Sequence, residues 1–207
     1  PINLKGSVKW IGEGNNAYVI KFTKDCGHFK KGTVAKAFQD EESRDEAVRI
    51  MSKLPKRLRL AGLANEEEAE KNKFSSKCVA VKNGEDSACC STWKETDNCY
   101  FMAMKNGGDK TVEQCLNSQT SADGRSVKSL AMAGIALIRD VHAQGFIHND
   151  YQTKNVMVDK DCNPGSMMAV DLDTMKRVDP ESGGKQMFKD YCQYLGVCDK
   201  GGYDFAQ

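Results

Sequence analysis

His148-Asn149-Asp150-Tyr151-Gln152-Thr153-Lys154-Asn155 is the most informative stretch of this 207-residue chain, and Asp171-Leu172-Asp173 begins sixteen residues after Asn155. The pattern combines a carboxylate, an amide five residues later and a second carboxylate further along the chain. A carboxylate can accept the proton of a hydroxyl group, and amide and carboxylate oxygens are suitable ligands for Mg²⁺. The spacing therefore predicts a site at which Asp150, Asn155 and Asp171 converge.

The residues on either side of this stretch predict regular structure around it. Val156-Met157-Val158 and Met167-Met168-Ala169-Val170 are short apolar runs, typical of buried strands that flank a polar loop. Both candidate metal ligands therefore stand at strand ends. Upstream, apolar residues recur every three to four positions, which predicts a helix over residues 126–144 that ends at Gly145.

The overall composition is that of an ordinary globular protein, with 40% hydrophobic and 29% charged residues. Thirty basic and twenty-nine acidic residues leave a net charge of +1, so no general field attracts nucleic acid or a membrane surface. No apolar run approaches the roughly twenty residues that cross a bilayer. We therefore expect a soluble monomer with neither a nucleic-acid nor a membrane partner.

The nine cysteines are odd in number and form no C-x-x-C pair. We expect most of them to be free, buried thiols rather than a disulfide framework. A zinc site through Cys26 and His28 stays an alternative, although no second pair follows at finger-like spacing.

Near the amino terminus, residues 8–22 predict two strands joined by a turn. The turn follows the pattern G-x-G-x-x-A-x-V, in which small residues let backbone amides approach phosphate oxygens closely. The candidate phosphate-binding residues are Gly12, Gly14, Asn15, Ala17 and Val19. An ordinary hairpin turn is the alternative, but Val34-Ala35-Lys36 stands where the next strand is expected and offers a lysine for the phosphates.

A helix is predicted over residues 40–54, where acidic residues crowd the start and apolar residues recur at helical spacing until Pro55. Glu46 lies closer to the centre of the apolar face than Glu41 and Glu42 do, and it is the candidate partner of Lys36; a solvated acid is the alternative. Residues 55–77 are strongly charged and predict a solvated helix and connector. Residues 78–81 and 99–104 predict an antiparallel strand pair, which the turn Lys105-Asn106-Gly107-Gly108-Asp109 follows.

From Gly12 to Asp171 the chain carries, in order, a glycine-rich loop, a strand lysine, a helix glutamate, a hinge, a catalytic loop and a metal aspartate. In this order of features it resembles the protein kinase-like superfamily. The resemblance implies an α+β, two-lobed protein kinase-like fold. Residues 1–104 are expected to form a small antiparallel β lobe that binds nucleotide, and residues 105–207 a truncated helical lobe that carries the catalytic loop. The implied activity is transfer of the γ-phosphoryl group of ATP, with Mg²⁺, to a hydroxyl side chain of a protein, of the serine/threonine type.

The resemblance also implies roles for individual residues. Asp150 is the expected base, Asn155 and Asp171 hold the metal, and Glu46 holds Lys36 on the phosphates. The implied nucleotide contacts further include Ala35, Met102 beside the adenine, Ala103 and Met104 in the hinge, and Asp109 at the ribose.

Several features depart from the family pattern. Asn149 replaces an arginine that pairs with activation-loop phosphate, which questions that mode of regulation. Gln152 stands where serine/threonine kinases place a lysine, so Lys154 is the candidate for that charge. Only 36 residues follow Asp171, without an Ala-Pro-Glu motif. Within them, Asp190 begins a segment similar to the helix whose aspartate braces the catalytic loop.

The short tail is similar to minimal kinases that bacteria deliver into host cells, including a family that modifies a host heat-shock chaperone. This similarity implies a virulence effector in the host cytoplasm, with a protein substrate. Two other functions remain open, namely a catalytically inactive binding module and a kinase for a small molecule such as an antibiotic or sugar.

Overall fold

A computed structural model describes residues 7–14, 17–25, 29–77, 98–118, 124–179 and 181–197. In these residues the protein is mixed α+β, with a five-stranded antiparallel sheet and four α-helices. The chain forms two compact units: the first contains Pro1–Leu54 and Gly62–Asn106, the second Pro55–Ala61 and Gly107–Gln207. The sequence predicts a single division after Met104, whereas in the structure residues 55–61 belong with the second unit. None of the described helices is long and apolar enough to cross a membrane.

The first unit is built on the five-stranded sheet, whose strand order is β1-β2-β3-β5-β4. The strands are β1 Val8–Gly14, β2 Ala17–Phe22, β3 Val34–Phe38, β4 Lys73–Lys77 and β5 Asn98–Met104. Helix α1, Glu41–Met51, begins after Asp40, whose side chain accepts a hydrogen bond from the Ser43 N–H at 2.7 Å. This cap satisfies a backbone donor at the helix start. The helix predicted over residues 40–54 is confirmed, and it ends three residues earlier than predicted.

One face of this sheet forms an aromatic core. Phe74 of β4 stacks on Phe101 of β5 with ring centroids 4.8 Å apart, and Phe29 lies 4.6 Å from Phe74. The same cluster contains Ile20, Phe22, Ala35, Ala37, Cys99 and Ala103. Burying these apolar side chains supplies the main stabilisation of the unit, at about 25 cal/mol for each Å² removed from water.

The expectation of a solvated connector over residues 55–77 is wrong at its end. Residues 69–72 form a 3₁₀ helix, and Lys73–Lys77 form β4, which pairs with β5 at the edge of the sheet. An edge strand can carry polar residues on its outer side, so Phe74 alone gives it an apolar signal. The strand predicted over residues 78–81 lies outside the described residues.

The second unit contains three helices and two small antiparallel sheets in its described part. The helices are α2 Val112–Ser118, α3 Gly124–Ala143 and α4 Gly183–Leu195. The strands are β6 Lys110–Thr111, β7 Phe146–Ile147, β8 Val156–Val158, β9 Met168–Ala169 and β10 Lys176–Arg177. Strands β6-β8-β9 form one sheet and β10-β7 the other. The predicted helix ending before Gly145 and both predicted strands are confirmed.

Helices α3 and α4 pack closely at Gly134. A β-carbon at this position would lie 2.0 Å from Cζ of Tyr194, whose hydroxyl donates a hydrogen bond to the Leu130 carbonyl at 2.8 Å. We expect Gly134→Ala to destabilise the protein by about 2 kcal/mol or more, because the buried ring has to move. Thermal unfolding measures the effect.

Gly184→Ala is the matched control for this change. Gly184 lies in helix α4 and a β-carbon there has nothing within 4 Å, so alanine should be neutral or stabilise by up to about 1 kcal/mol. Equal melting temperatures for the two variants would contradict the close packing of Gly134 on Tyr194.

The expectation of mostly free cysteines is wrong for the described residues. Cys115 and Cys162 form a disulfide, and Cys99 is also disulfide-bonded. Cys192 is a free, buried thiol. The partners at 115 and 162 are 47 residues apart, and the fold brings them together, so short-range spacing carried no signal of this pair. Cys26 and His28, the alternative zinc ligands, lie outside the described residues.

Candidate active site

Two side-chain amides hold the Asp150 carboxylate in the loop before β8. Nε2 of Gln152 donates to Oδ1 of Asp150, while Nδ2 of Asn155 donates to Oδ2 and to the Asp150 carbonyl, both at 2.9 Å. Each carboxylate oxygen thus accepts one amide hydrogen, and the side chain is held in one orientation. Asp150 is only partly buried, so this oriented carboxylate can meet an incoming hydroxyl group.

The strand pairing brings Asp171 beside this loop. Val156 pairs with Ala169 in the ladder between β8 and β9, and the Val170 N–H donates to the Asn155 carbonyl at 2.9 Å. Asp171 is the next residue and turns the chain with φ +59°. The structure therefore places Asn155 and Asp171 at adjacent strand ends, as their positions in the sequence predict.

These two residues are suited to hold Mg²⁺. Because Nδ2 of Asn155 donates to Asp150, the Asn155 Oδ1 oxygen is the atom available for a metal. Asp171 is exposed at the surface of the second unit and adds a carboxylate. In the described part of the chain no three His, Cys, Asp or Glu side chains cluster as metal ligands. Mg²⁺ does not need such a cluster, because phosphate and water oxygens complete its shell.

Asp190 of α4 holds the backbone of this loop by hydrogen bonds. Its fully buried carboxylate accepts hydrogen bonds from the N–H groups of His148 and Asn149, at 2.9 and 2.8 Å, and from Nε2 of His142 at 2.9 Å. The backbone of His148 and Asn149, just before Asp150, is therefore fixed by a side chain 42 and 41 residues later in the sequence. This bracing contact is the one that the tail segment beginning at Asp190 predicts.

His148 connects the loop to the Asp171 turn. Its Nε2 donates to the Val170 carbonyl at 2.9 Å, since a carbonyl oxygen only accepts. Its own carbonyl accepts from the Thr174 hydroxyl at 2.8 Å. Three non-glycine residues of the described chain have a positive φ, and two of them, Asn149 at +68° and Asp171 at +59°, lie here. Unfavourable backbone conformations of this kind concentrate at functional sites.

Sequence reasoning missed part of this support. The buried Tyr151 hydroxyl donates to the Gly134 carbonyl at 2.9 Å, and the Tyr151 N–H donates to Oε1 of Gln193 at 3.2 Å. Burial raises the pKa of Tyr151 well above its usual value, so the hydroxyl stays protonated as a donor. The aromatic residue within an otherwise polar stretch was the available signal for this buried anchor.

In the first unit, four candidate nucleotide-binding residues form one row across the sheet. Gly12 pairs with Val19, Val19 with Lys36, and Lys36 with Met102. Directly paired residues point to the same face, so the four residues share a face. Tyr100 lies two residues before Met102 in β5, so it points to this face as well. The guanidinium of Arg44 in helix α1 lies 5.5 Å from the Tyr100 ring centroid, so α1 packs on the same face.

The end of the glycine-rich hairpin is described only in part. Gly14 pairs with Ala17 in the ladder between β1 and β2, and Asn15 lies outside the described residues. At Gly12 a β-carbon would have nothing within 4 Å, and the residue has no positive φ. The fold of the unit therefore does not require glycine there.

Ala35 and Ala103 point away from the row that contains Lys36. They pair with each other, both are fully buried, and both belong to the aromatic core on the opposite face. Side chains alternate along a strand, so Ala35 cannot share a face with Lys36, nor Ala103 with Met102. Their side chains therefore belong to the core, and the expected nucleotide contacts of Ala35 and of the hinge backbone at Ala103 stay predictions.

The structure also differs from the expectation for Glu46. Its carboxylate accepts hydrogen bonds from the guanidinium of Arg49 on the exposed side of α1, and this guanidinium lowers the pKa of Glu46. The buried face of α1 consists of Arg44, Ala47, Val48 and Met51. At about 100° per residue, Glu46 lies roughly opposite the centre of that face.

Lys36 itself is buried, with 8% of its surface exposed, and its ammonium lies 5.9 Å from the Phe38 ring centroid.

The expected hinge residues have partners within the first unit. The Ala103 carbonyl accepts from the Ala64 N–H at 3.2 Å, and Met104 forms an isolated bridge with Leu63. In the second unit, exposed Asp109 donates its N–H to the Val158 carbonyl at 2.8 Å. Lys154 is exposed on the 3₁₀ helix Thr153–Asn155. These positions leave the expected roles of Asp109 and Lys154 as predictions.

Comparison of the chain with models of known protein families, and with curated proteins, found no match.

Proposed function

We propose that the protein is an ATP-dependent protein kinase with a two-lobed kinase-like fold. The observation that carries this proposal is the arrangement in the second unit, where amides orient Asp150 and strand pairing brings Asn155 next to Asp171. A base and two ligands for Mg²⁺ are the groups that phosphoryl transfer requires. The row of Gly12, Val19, Lys36 and Met102 supports nucleotide binding by the first unit.

In this proposal, bound Mg²⁺-ATP supplies the phosphoryl group and the charge neutralisation. Asp150 orients the substrate hydroxyl and accepts its proton. Gln152 and Asn155 keep the carboxylate pointing at that hydroxyl, and holding both reactants in place contributes on the order of 7–11 kcal/mol. Lys36 binds the phosphates from the first unit.

The proposed substrate is a protein, with serine or threonine as acceptor. The likeness to minimal bacterial kinases adds two further proposals, that the chain is a secreted effector and that a host heat-shock chaperone is its first candidate substrate. We further propose that the chain acts as a monomer.

A catalytically inactive, nucleotide-binding module is the second candidate function. The pairing of Glu46 with Arg49 favours it, because the glutamate expected to hold Lys36 is bound elsewhere. In an active kinase of the usual kind, the glutamate of this helix pairs with the phosphate-binding lysine.

One experiment separates these functions. The purified chain is incubated with γ-labelled ATP, Mg²⁺ and a cell lysate, and label is followed in protein bands and in the filtrate. We expect label in protein and formation of ADP. Label in the filtrate alone would assign a small-molecule kinase. A rise in melting temperature with Mg²⁺-ATP but no ADP would assign the binding module.

Gly12→Ala tests the nucleotide role of the first unit. Because a β-carbon at Gly12 meets open space, we expect the melting temperature to be unchanged. A methyl group on a loop that covers phosphates keeps the backbone at a distance, so the KM for ATP should rise by about tenfold, or about 1.4 kcal/mol. Lys9→Ala, at an exposed position of the same strand, is the control and should leave KM unchanged. An unaltered KM in Gly12→Ala would assign the hairpin a purely structural role.

A further inference from the structure

The Cys115–Cys162 disulfide closes a loop of the chain that contains Asp150 and Asn155 of the candidate active site, whereas Asp171 follows this loop. Cys115 lies on α2 and is fully buried, and Cys162 lies in the turn after β8. Helix α2 packs against the 3₁₀ helix Thr153–Asn155 and against β8. The bond therefore joins helix α2, which packs against the 3₁₀ helix that contains Asn155, to the turn that follows β8.

Hydrogen bonds to the Asp159 side chain fix the turn that contains Cys162. Oδ1 of Asp159 accepts from the N–H groups of Asp161 at 3.1 Å and Asn163 at 2.9 Å. Cys162 itself has φ +58°, a conformation that a residue with a β-carbon adopts rarely. A bond to Cys115 gives a reason for a cysteine in this conformation, where asparagine or glycine is the usual choice.

The described cysteines as a group indicate an oxidising environment. Four cysteines lie in the described residues, and three of them, Cys99, Cys115 and Cys162, are in disulfides. Disulfides persist in oxidising compartments and are rare in the cytosol, where thiols are kept reduced. The host cytoplasm implied by the family resemblance does not fit these bonds.

We propose that the Cys115–Cys162 disulfide is a clamp on the catalytic loop, and that the protein folds and acts in an oxidising compartment. Its substrates are then proteins present in that compartment, and the host chaperone proposed above is a candidate only if it resides there. The clamp is independent of the proposed function, whereas the substrate class rests on it. The bond forms when two thiols release two protons and two electrons to the disulfide of an oxidoreductase, which becomes a dithiol.

The first test compares the oxidised chain, the dithiothreitol-reduced chain and the Cys115→Ala/Cys162→Ala double variant. We expect loss of the bond to lower the melting temperature by about 10 °C or more. Hydrogen exchange at residues 150–156 should accelerate at least about tenfold, because the clamp no longer restricts local opening. Cys192→Ala is the control, since that thiol is free and its loss leaves the bond in place.

Peptide mapping of the chain made in an oxidising and in a reducing compartment is the second test. We expect the linked Cys115–Cys162 peptide from the oxidising compartment alone, and the lower melting temperature from the reducing one. Free thiols at both positions in the oxidised preparation would overturn the clamp. A reduced chain with full stability and unchanged exchange would overturn it as well.

The phosphoryl-transfer assay tests the substrate class. We expect transfer by the oxidised chain to proteins of a secretory fraction, and at least about tenfold less transfer by the reduced chain. Preferred labelling of cytosolic proteins by the reduced chain would overturn the assignment to an oxidising compartment. A clamp that forms and slows exchange in a chain without any transfer supports the clamp and contradicts the kinase proposal alone.

Discussion

Asp171→Asn is expected to lower phosphoryl transfer by about a thousandfold or more while leaving the protein folded. Asp171 has φ +59°, and asparagine tolerates this left-handed conformation as well as aspartate does. The change therefore removes one negative charge from the proposed Mg²⁺ site without straining the turn. Single-turnover transfer from labelled ATP measures the rate, and the melting temperature reports the fold.

Asp161→Asn is the matched control for this experiment. Asp161 is an exposed aspartate of the turn between β8 and β9, and the same chemical change there should leave the rate unaltered. Raising the Mg²⁺ concentration should partly restore the Asp171→Asn variant, because a weakened site fills at higher metal concentration. Transfer by Asp171→Asn at the rate of the unchanged protein would remove Asp171 from the proposed metal site.

The sequence was sufficient where one pattern determines one element. The acids at its start and the apolar residues at helical spacing predicted α1, and the apolar runs at residues 156–158 and 167–170 predicted β8 and β9. It was insufficient for β4, because an edge strand with Phe74 as its apolar residue looks like a connector. The disulfide of Cys115 and Cys162 depends on tertiary contacts, which no local pattern encodes.

The candidate site shows the same division. Positions 155 and 171 were predictable, because strand ends that pair must lie together, and Asp150 precedes Asn155 in the same loop. Glu46 was misplaced because the buried face of α1 is centred near Val48 and Arg44, and a buried arginine is absent from a count of apolar residues. The sequence motif does not show that Ala35 and Lys36 point to opposite faces, because a motif written as letters ignores the alternation of side chains along a strand.

Replacing Asp190 is expected to have the largest effect on stability. Oδ2 accepts from the His148 N–H and from Nε2 of His142, and Oδ1 accepts from the Asn149 N–H. Asp190→Ala leaves all three donors without this acceptor, two of them in buried bonds, which should cost about 4 kcal/mol. Asp190→Asn keeps one oxygen but turns an amide N–H₂ toward a donor, so about 2 kcal/mol is expected. Chemical denaturation of the two variants measures both values.

The order of the two variants distinguishes bracing from a general effect of charge. Both changes remove the same negative charge, so a charge effect predicts equal losses, whereas the hydrogen-bond geometry predicts the greater loss for alanine. Asp140→Asn removes a charge from a carboxylate with 49% exposure and should change stability by less than about 0.5 kcal/mol. Since the braced N–H groups directly precede Asp150, Asp190→Asn should also slow phosphoryl transfer beyond its fraction unfolded. A slowing no larger than that fraction would show that the loop keeps its active conformation without the Asp190 carboxylate.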